Sequence, residues 1–528
     1  MTKQKKIKKD ENVLFLQKGK RGFLQVIFNK TAFLIFVIII EITLLALFIN
    51  HLRNYISIPI IAAALFTVAM LIYLVTASSS SEAKLSWMAI VILLPIVGAV
   101  VYIWAHTDPG CSIEKSRAKV VDKNTEKYKK NNESEANRLE HPIDGYGGTI
   151  SYLRQMGGYA SYENTECEYL PSGETFFESL IEELEKAEKY IFLEFFIVQE
   201  GYMWGRILDI LARKAKQGVE VRLMYDGSCV IFRLPYDYPK KVSELGIKCK
   251  MFSKLRPFMS TSYNNRDHRK IVIIDGKVAF TGGSNLADEY INLISPFGKW
   301  KDASIMLRGE AVDSLTLMFL KMWDLEEKNS DFDYEKYLCA EKSVGATGCV
   351  VPYGDVPVYS ERVGEYVYID IINHAEKYVY IMSPYLILDS KMTAALVLAA
   401  KKGVDIRIVL PHIPDKKYAF ALAKSHYSQL VSEGIKIYEY TPGFIHSKVF
   451  LSDGNVGVVG TVNLDYRSLY LHYECAVYLM NVPMLSDIEN DFAETFDKCM
   501  PVTEETIKNE KFGTKLAGKL LKIVAPLM

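Results

Sequence analysis

The sequence predicts an α/β chain made of two domain-sized copies, with transmembrane helices in front of them. Three observations predict this. Strand-like and helical patterns recur in the same order with a period of roughly 180 residues. One spacing of His, Lys, Asp and Asn occurs once in each copy. Three long apolar runs precede both copies.

The N-terminal elements come first. Residues 1–30 carry nine Lys or Arg against Asp10 and Glu11, a net charge of +7. Residues 31–105 hold the apolar runs Thr31–Phe48, with Glu41 inside it, Ile56–Ala77, which has no charge, and Leu85–Trp104, with Pro95 in its middle. Each approaches the ~20 residues that a helix needs to cross a bilayer. Trp87, Tyr102 and Trp104 suit a headgroup interface. The first run starts too late for a cleaved signal peptide. The expectation is a multi-pass protein of the cell membrane with two or three spans. The charges conflict over orientation. The basic N-terminus should stay cytoplasmic, yet Lys115, Arg117, Lys119, Lys123, Lys127, Lys129 and Lys130 follow the third run. Two spans would resolve this and leave the two copies cytoplasmic.

Composition excludes several classes. Hydrophobic residues are 49% and charged residues 24% of 528, which is no disordered chain. Lys+Arg and Asp+Glu are both 63, so nothing favours a nucleic-acid groove. Eight scattered Cys include no CxxC pair, which speaks against zinc ribbons and thioredoxin-like sites. Free thiols are expected.

Residues 106–150 are polar and charged and read as a linker. The first globular domain is placed at 151–325, a second linker at 326–345, and the second domain at 346–528. Ala187-Glu188-Lys189-Tyr190 recurs as Ala375-Glu376-Lys377-Tyr378, and each precedes an apolar strand pattern. A helical pattern follows, over 205–217 and 394–402. Then Gly218-Val219-Glu220-Val221-Arg222 matches Gly403-Val404-Asp405-Ile406-Arg407. Alternating strand and helix points to βαβ units.

The repeat sharpens at one motif. The first copy has His268, Lys270, Asp275 and Asn285, and the second has His446, Lys448, Asp453 and Asn463, at identical spacings. Residues i and i+2 of a strand share a face, so each His projects with its Lys. Asp-Gly marks a tight hairpin turn. The returning strand brings Gly283 or Thr461 and the Asn towards the His, where small residues let an oxyanion approach. Asp275 and Asp453 are catalytic candidates that a turn alone would also explain. A metal would prefer more His or carboxylate ligands, whereas paired Lys favour an anion such as phosphate. There is no GxSxG elbow for a serine hydrolase.

These motifs resemble the phospholipase D superfamily, whose signature is the duplicated HxKxxxxD. More narrowly, NRDHRKIVIIDGKVAFTGGSNLADEY at 265–290 and GFIHSKVFLSDGNVGVVGTVNLDYRSLYLHYE at 443–474 are similar to the two blocks of bacterial cardiolipin synthases. The resemblance implies two phospholipase-D-like repeats, mixed sheets flanked by helices, packed as a pseudo-twofold pair. It implies that two phosphatidylglycerol molecules are condensed to cardiolipin and glycerol, with no cofactor and no metal. By analogy His268 becomes the phosphohistidine and His446 is the acid and base, while Lys270, Lys448, Asn285, Asn463, Gly283 and Thr461 surround the phosphate. Asp302 and Glu474 are candidates to orient a His, or else ordinary ion pairs. Phosphatidylglycerol and anionic membrane lipid are the expected partners, and nucleic acid is not. The Lys- and Leu-rich segment from Lys511 onward is read either as a lipid-surface helix or as a plain packed one. The rival readings are a lipid hydrolase, another phosphatidyltransferase, a nuclease and an inactive scaffold.

Overall fold

A computed structural model describes residues 13–16, 43, 57–77, 79–106, 109–128, 147–253, 264–327 and 330–527. Most of the basic segment 1–30 and of the apolar run Thr31–Phe48 lies outside them.

The first copy contains β1 (Thr165–Leu170), β2 (Tyr190–Phe195), β3 (Glu220–Asp226), β4 (Lys248–Phe252), β5 (Arg266–Asp267), β6 (Lys270–Ile274), β7 (Val278–Gly282), β8 (Lys299–Lys301) and β9 (Ser304–Gly309). The second contains β10 (Cys349–Asp355), β11 (Tyr378–Met382), β12 (Asp405–Pro411), β13 (Lys436–Tyr440), β14 (Gly443–Ile445), β15 (Val449–Ser452), β16 (Val456–Gly460), β17 (His472–Met480) and β18 (Cys499–Pro501). The first sheet runs β1-β9-β7-β6-β2-β3-β4, and the second repeats that order as β10-β17-β16-β15-β11-β12-β13, with β18 added at its edge. Both sheets are mixed: β2 pairs parallel with β3 and antiparallel with β6, as β11 does with β12 and β15.

Alternation along the strands explains the layers. Ile191, Leu193 and Phe195 of β2 enter an outer core with the helices Gly173–Lys186 and Tyr202–Lys216. Phe192 enters a central core that also takes Ile271, Ile305, Val449, Leu451 and Val477. That central core draws on both sheets, so the two copies bury apolar surface against each other. Strands covered on both faces read as continuous apolar runs, as IFLEFFIV does. On the far side, Phe450, Ile381 and Ile408 pack with the helices Val363–His374 and Ser390–Lys401. The segment expected as a linker contains the helix Pro109–Thr125, whose Ala118 and Val121 join the central core.

The transmembrane expectation does not hold. Among the described residues no helix is long and apolar enough to cross a membrane. The run Leu85–Trp104 is broken at Leu94, whose φ of −133° and ψ of 77° leave the helical region before Pro95. The pieces Ser81–Leu93 and Pro95–His106 have 13 and 12 residues, about 20 and 18 Å at 1.5 Å per residue. Trp87 and Tyr102, expected at a headgroup interface, face inward instead. Their ring centroids lie 5.2 Å apart, in a small cluster with Met70 and Leu74 of the helix Ser57–Thr76. The multi-pass assignment, and the cytoplasmic placement drawn from it, fall with the spans. Among the described residues no two cysteines are joined in a disulfide.

Candidate active site

Each HxK motif lies where a strand of one copy begins and a short strand of the other copy passes. β5, just before His268, pairs with β17, aligning Arg266 with His472 and Asp267 with Tyr473. β14, just before His446, pairs with β8, aligning Gly443 with Lys299 and Ile445 with Lys301. The ladders continue into the site. The His268 amide donates to the Tyr473 carbonyl at 2.9 Å, and the His446 amide to the Lys301 carbonyl at 2.7 Å. Each His therefore lies beside the acid of the other copy.

The side chains complete this crossing. His268 Nδ1 lies 2.9 and 3.0 Å from the two Glu474 oxygens. His446 Nδ1 lies 2.7 Å from Asp302 Oδ2. Both carboxylates are fully buried. Asp302 is held below the usual carboxylate range. Burial opposes this, but His446, Lys448 and the Ala303 amide outweigh it. An ionised Asp302 accepts a hydrogen bond from Nδ1–H of His446, which leaves Nε2 as the ring's free nitrogen. Aromatic rings wall the imidazoles: Phe196 lies 5.0 Å from His268, and Tyr290 and Trp300 lie 5.4 and 5.2 Å from His446, between centroids.

The cations lie inside the same enclosure. The Lys270 ammonium donates to the His268 carbonyl. Lys448 Nζ lies 2.9 Å from His446 Nδ1 and donates to that residue's carbonyl. Burial lowers the Lys270 pKa to about 8 and that of Lys448 to about 7, against attraction from Glu474 and Asp302. Burial also lowers His446 to about 4, and Lys448 adds to the effect. His268 falls well below its ordinary value through burial, Lys270, Lys448 and His446. Both motifs thus act on one imidazole, and a buried set of cations and neutral rings favours an anion.

The other expected residues divide into two groups. Asn285 is buried. Its Oδ1 accepts from the Ile197 amide at 2.9 Å, and its Nδ2 donates to the Tyr290 hydroxyl at 2.8 Å. Asn463 Oδ1 is buried and without a hydrogen bond among the described residues. Gly283 and Thr461 do not offer free amides. Those N–H groups donate to the Ala303 and Cys475 carbonyls at 2.8 Å each. They act as supports: a Cβ on Gly283 would stand 1.9 Å from Asp302 Oδ1, and the Thr461 hydroxyl donates to Glu474.

Asp275 and Asp453 lie at the other end of β6 and β15, seven residues from their His, on the order of 20 Å along a strand. Both have positive φ, 54° and 52°, in the turn. The Asp275 carboxylate accepts from the amides of Glu188, Lys189 and Tyr190 at 2.7, 2.7 and 2.8 Å. Asp453 does the same for Glu376, Lys377 and Tyr378 at 2.8, 2.9 and 2.8 Å. The Asp therefore fastens the hairpin to the AEKY corner, which is why the two sequences recur together.

Sequence reasoning missed three contributors. Ser468 donates to Glu474. Trp300 donates from Nε1 to Asp302 Oδ2 at 3.4 Å. His472 is buried with its ring 5.5 Å from that of His268 and Nδ1 3.6 Å from Glu474 Oε1, and neither ring nitrogen has a hydrogen-bond partner among the described residues. His472 and Trp300 both stand two residues before a site acid, so the i, i+2 rule could have found them. His268, His472 and Glu474 are a set whose ligand atoms lie within 4.8 Å of one another. The neighbouring lysines oppose a cation there.

Comparison with known proteins agrees with this geometry. A family model described as cardiolipin synthase, PLD-like domain, matches residues 180–297 and 368–496, one motif in each stretch. A second, described as phospholipase D-nuclease N-terminal, matches 65–105. A Streptococcus mutans protein called uncharacterized is 48% identical over 465 residues, 87% of this chain and 100% of that protein. Cardiolipin synthases of a Geobacillus strain and of Alkalihalophilus pseudofirmus are 36% and 31% identical. They cover 69% and 84% of this chain, and the chain covers 72% and 88% of theirs. The solved phosphatidylserine synthase of Haemophilus influenzae superposes with a TM-score of 0.55 over 72% of this chain and 98% of that one, at 15% identity, and shares the fold.

Proposed function

We propose that this chain, which belongs to the bacterial cardiolipin synthase family and is an enzyme of that type, condenses two phosphatidylglycerol molecules to cardiolipin and glycerol through a phosphohistidine. The observation that carries the reading is the crossed site: two His–Lys pairs in one buried enclosure, each imidazole set against a carboxylate of the opposite copy.

In the first half-reaction Nε2 of neutral His268 attacks the phosphorus of one phosphatidylglycerol. Glu474 holds the Nδ1 proton and stabilises the charge that the ring gains. The P–O bond to glycerol breaks, and the leaving oxygen takes a proton from His446. In the second, His446 removes the proton from the terminal hydroxyl of another phosphatidylglycerol. That oxygen attacks phosphorus, the P–N bond breaks and cardiolipin leaves. Dividing one displacement into two, with one acid and base serving both, is covalent catalysis in its general form. Burial and Lys448 lower the His446 pKa, and the negative charge of a bound phosphodiester opposes them and favours the protonated ring. Lys270 and Lys448 neutralise the phosphoryl oxygens, with Asn285 and Asn463 beside them.

The test is incubation of the purified protein with phosphatidylglycerol vesicles. Cardiolipin and free glycerol in equal amounts are expected, with labelled glycerol exchanging into phosphatidylglycerol. Release of phosphatidic acid alone would make the acceptor water and the enzyme a lipid hydrolase.

A further inference from the structure

We propose that the helix Phe512–Val524 is an interfacial helix that lies on an anionic lipid surface, a role separate from the catalytic residues and not dependent on the reaction assigned to them. This helix is seated on the second copy by one face. A Cβ on Gly518 would stand 2.3 Å from the Ala421 carbonyl oxygen, so Gly at that point lets the helix settle onto its neighbour. The opposite face is apolar and open. Phe512, Leu516, Leu520 and Ile523 are 78%, 45%, 58% and 50% exposed. At 100° per residue these four fall within an arc of about 80°. Lys511, Lys519 and Lys522 are exposed along one flank of that arc, and no acidic residue occurs from Lys511 to Val524.

An apolar stripe edged by cations and free of acids is the pattern of a helix lying in a headgroup layer. Charge complementarity selects anionic lipid over zwitterionic lipid. The surface is also continuous with other exposed apolar residues. The segment Ala525–Leu527 returns to the N-terminal helices, where Leu527 packs with Trp87 and Tyr102. Beside it Leu85, Ile92 and Leu93 of the helix Ser81–Leu93 are 66%, 57% and 77% exposed. Between these two helices and the second copy opens a cavity of about 690 Å³, lined by Leu85, Ile387, Val397, Lys519, Lys522 and Ile523. Apolar side chains and the two ammonium groups share its wall with the carboxylates of Glu82, Asp389 and Glu433, so the anionic lipid is assigned to the open stripe and not to this cavity.

Backbone amide exchange of the full chain tests this, on phosphatidylglycerol vesicles and on phosphatidylcholine vesicles. The expected result is that amides 512–524 slow by roughly tenfold or more on the anionic vesicles only. A Lys511→Gln/Lys519→Gln/Lys522→Gln variant should lose that protection. A Leu516→Gln/Leu520→Gln variant should lose it at low and high salt alike, while both variants keep activity on detergent-dispersed substrate. Equal exchange with and without anionic vesicles, in protein that co-floats with them, would overturn the proposal. So would equal protection on both lipids. The readout needs no turnover, so it stands apart from the fate of the reaction proposed above.

Discussion

Asp302 of the first copy and His446 of the second, 144 residues apart, are joined by a 2.7 Å contact from Oδ2 to Nδ1. Glu474 of the second copy reaches back to His268 of the first. Each imidazole thus meets its carboxylate only across the two repeats. On the proposed mechanism this makes the duplication a requirement, because the opposite repeat sets each ring's tautomer.

The crossing predicts separable defects. Asp302→Asn removes the negative charge that fixes His446 in one tautomer, so both leaving-group protonation and turnover should slow. Glu474→Gln disturbs His268, so formation of the covalent adduct should slow first. Losing the orienting carboxylate of an imidazole costs on the order of 10²–10⁴-fold in rate. Rapid-quench measurement of the protein-bound phosphatidyl group separates the two, and equal effects of both variants on adduct formation would count against the assignment. The adduct itself should be found by mass spectrometry on His268 and be absent from His268→Ala.

Asp275 and Asp453 should behave as structural residues. Each carboxylate accepts three backbone amides of an AEKY corner. Asn keeps one acceptor and tolerates positive φ. Asp275→Asn and Asp453→Asn should therefore cost about 1–3 kcal/mol each through unsatisfied amides. Turnover per folded molecule should change little. Urea unfolding set beside specific activity checks this, and a collapse of activity with unchanged stability would restore a catalytic role.

Much of this was legible in the sequence. The strands β6 and β15, the Asp-Gly hairpins and the same-face His–Lys pairs follow from period-two spacing, and one copy confirms the other. The crossing was not legible. It depends on β5 pairing with β17 and β14 with β8, and local patterns do not specify pairings between segments so far apart. His472 and Trp300 share their strand face with Glu474 and Asp302, and were missed because neither stands in an HxK pattern. The run around Pro95 misled for another reason. Hydropathy measures burial and does not say what does the burying, and here Trp87, Val91 and Tyr102 are buried against neighbouring helices.

The two lysines predict opposite pH responses of binding and stability. Their folded pKa values, about 8 for Lys270 and about 7 for Lys448, lie below the ordinary 10.5. An anion needs them charged, so binding of inorganic phosphate should weaken as pH rises through 7 and 8. Stability has the other sign. Between those values and 10.5 the unfolded chain binds more protons than the folded one, so rising pH should favour folding over that window. Calorimetric titration of phosphate and thermal unfolding on the same samples give both slopes. Parallel slopes would show that other groups dominate.

Gly283 supplies the sharpest check on the crossed pair. It stands just after β7, where a Cβ would lie 1.9 Å from Asp302 Oδ1 and 3.1 Å from the His446 carbonyl oxygen. The first contact is far inside van der Waals range. The Gly283 amide is already committed to the Ala303 carbonyl, so the backbone has little freedom to retreat. Gly283→Ala must therefore push the Asp302 carboxylate away from His446. The variant should fold, since the displaced group is one short side chain, and should lose activity on the same scale as Asp302→Asn. The double variant settles the cause. If alanine acts only by moving Asp302, Gly283→Ala/Asp302→Asn will be about as slow as Asp302→Asn alone, a large coupling term. If the two losses multiply, Gly283 acts on the substrate by a separate route, and its place is in the phosphate pocket that the motif spacing first suggested.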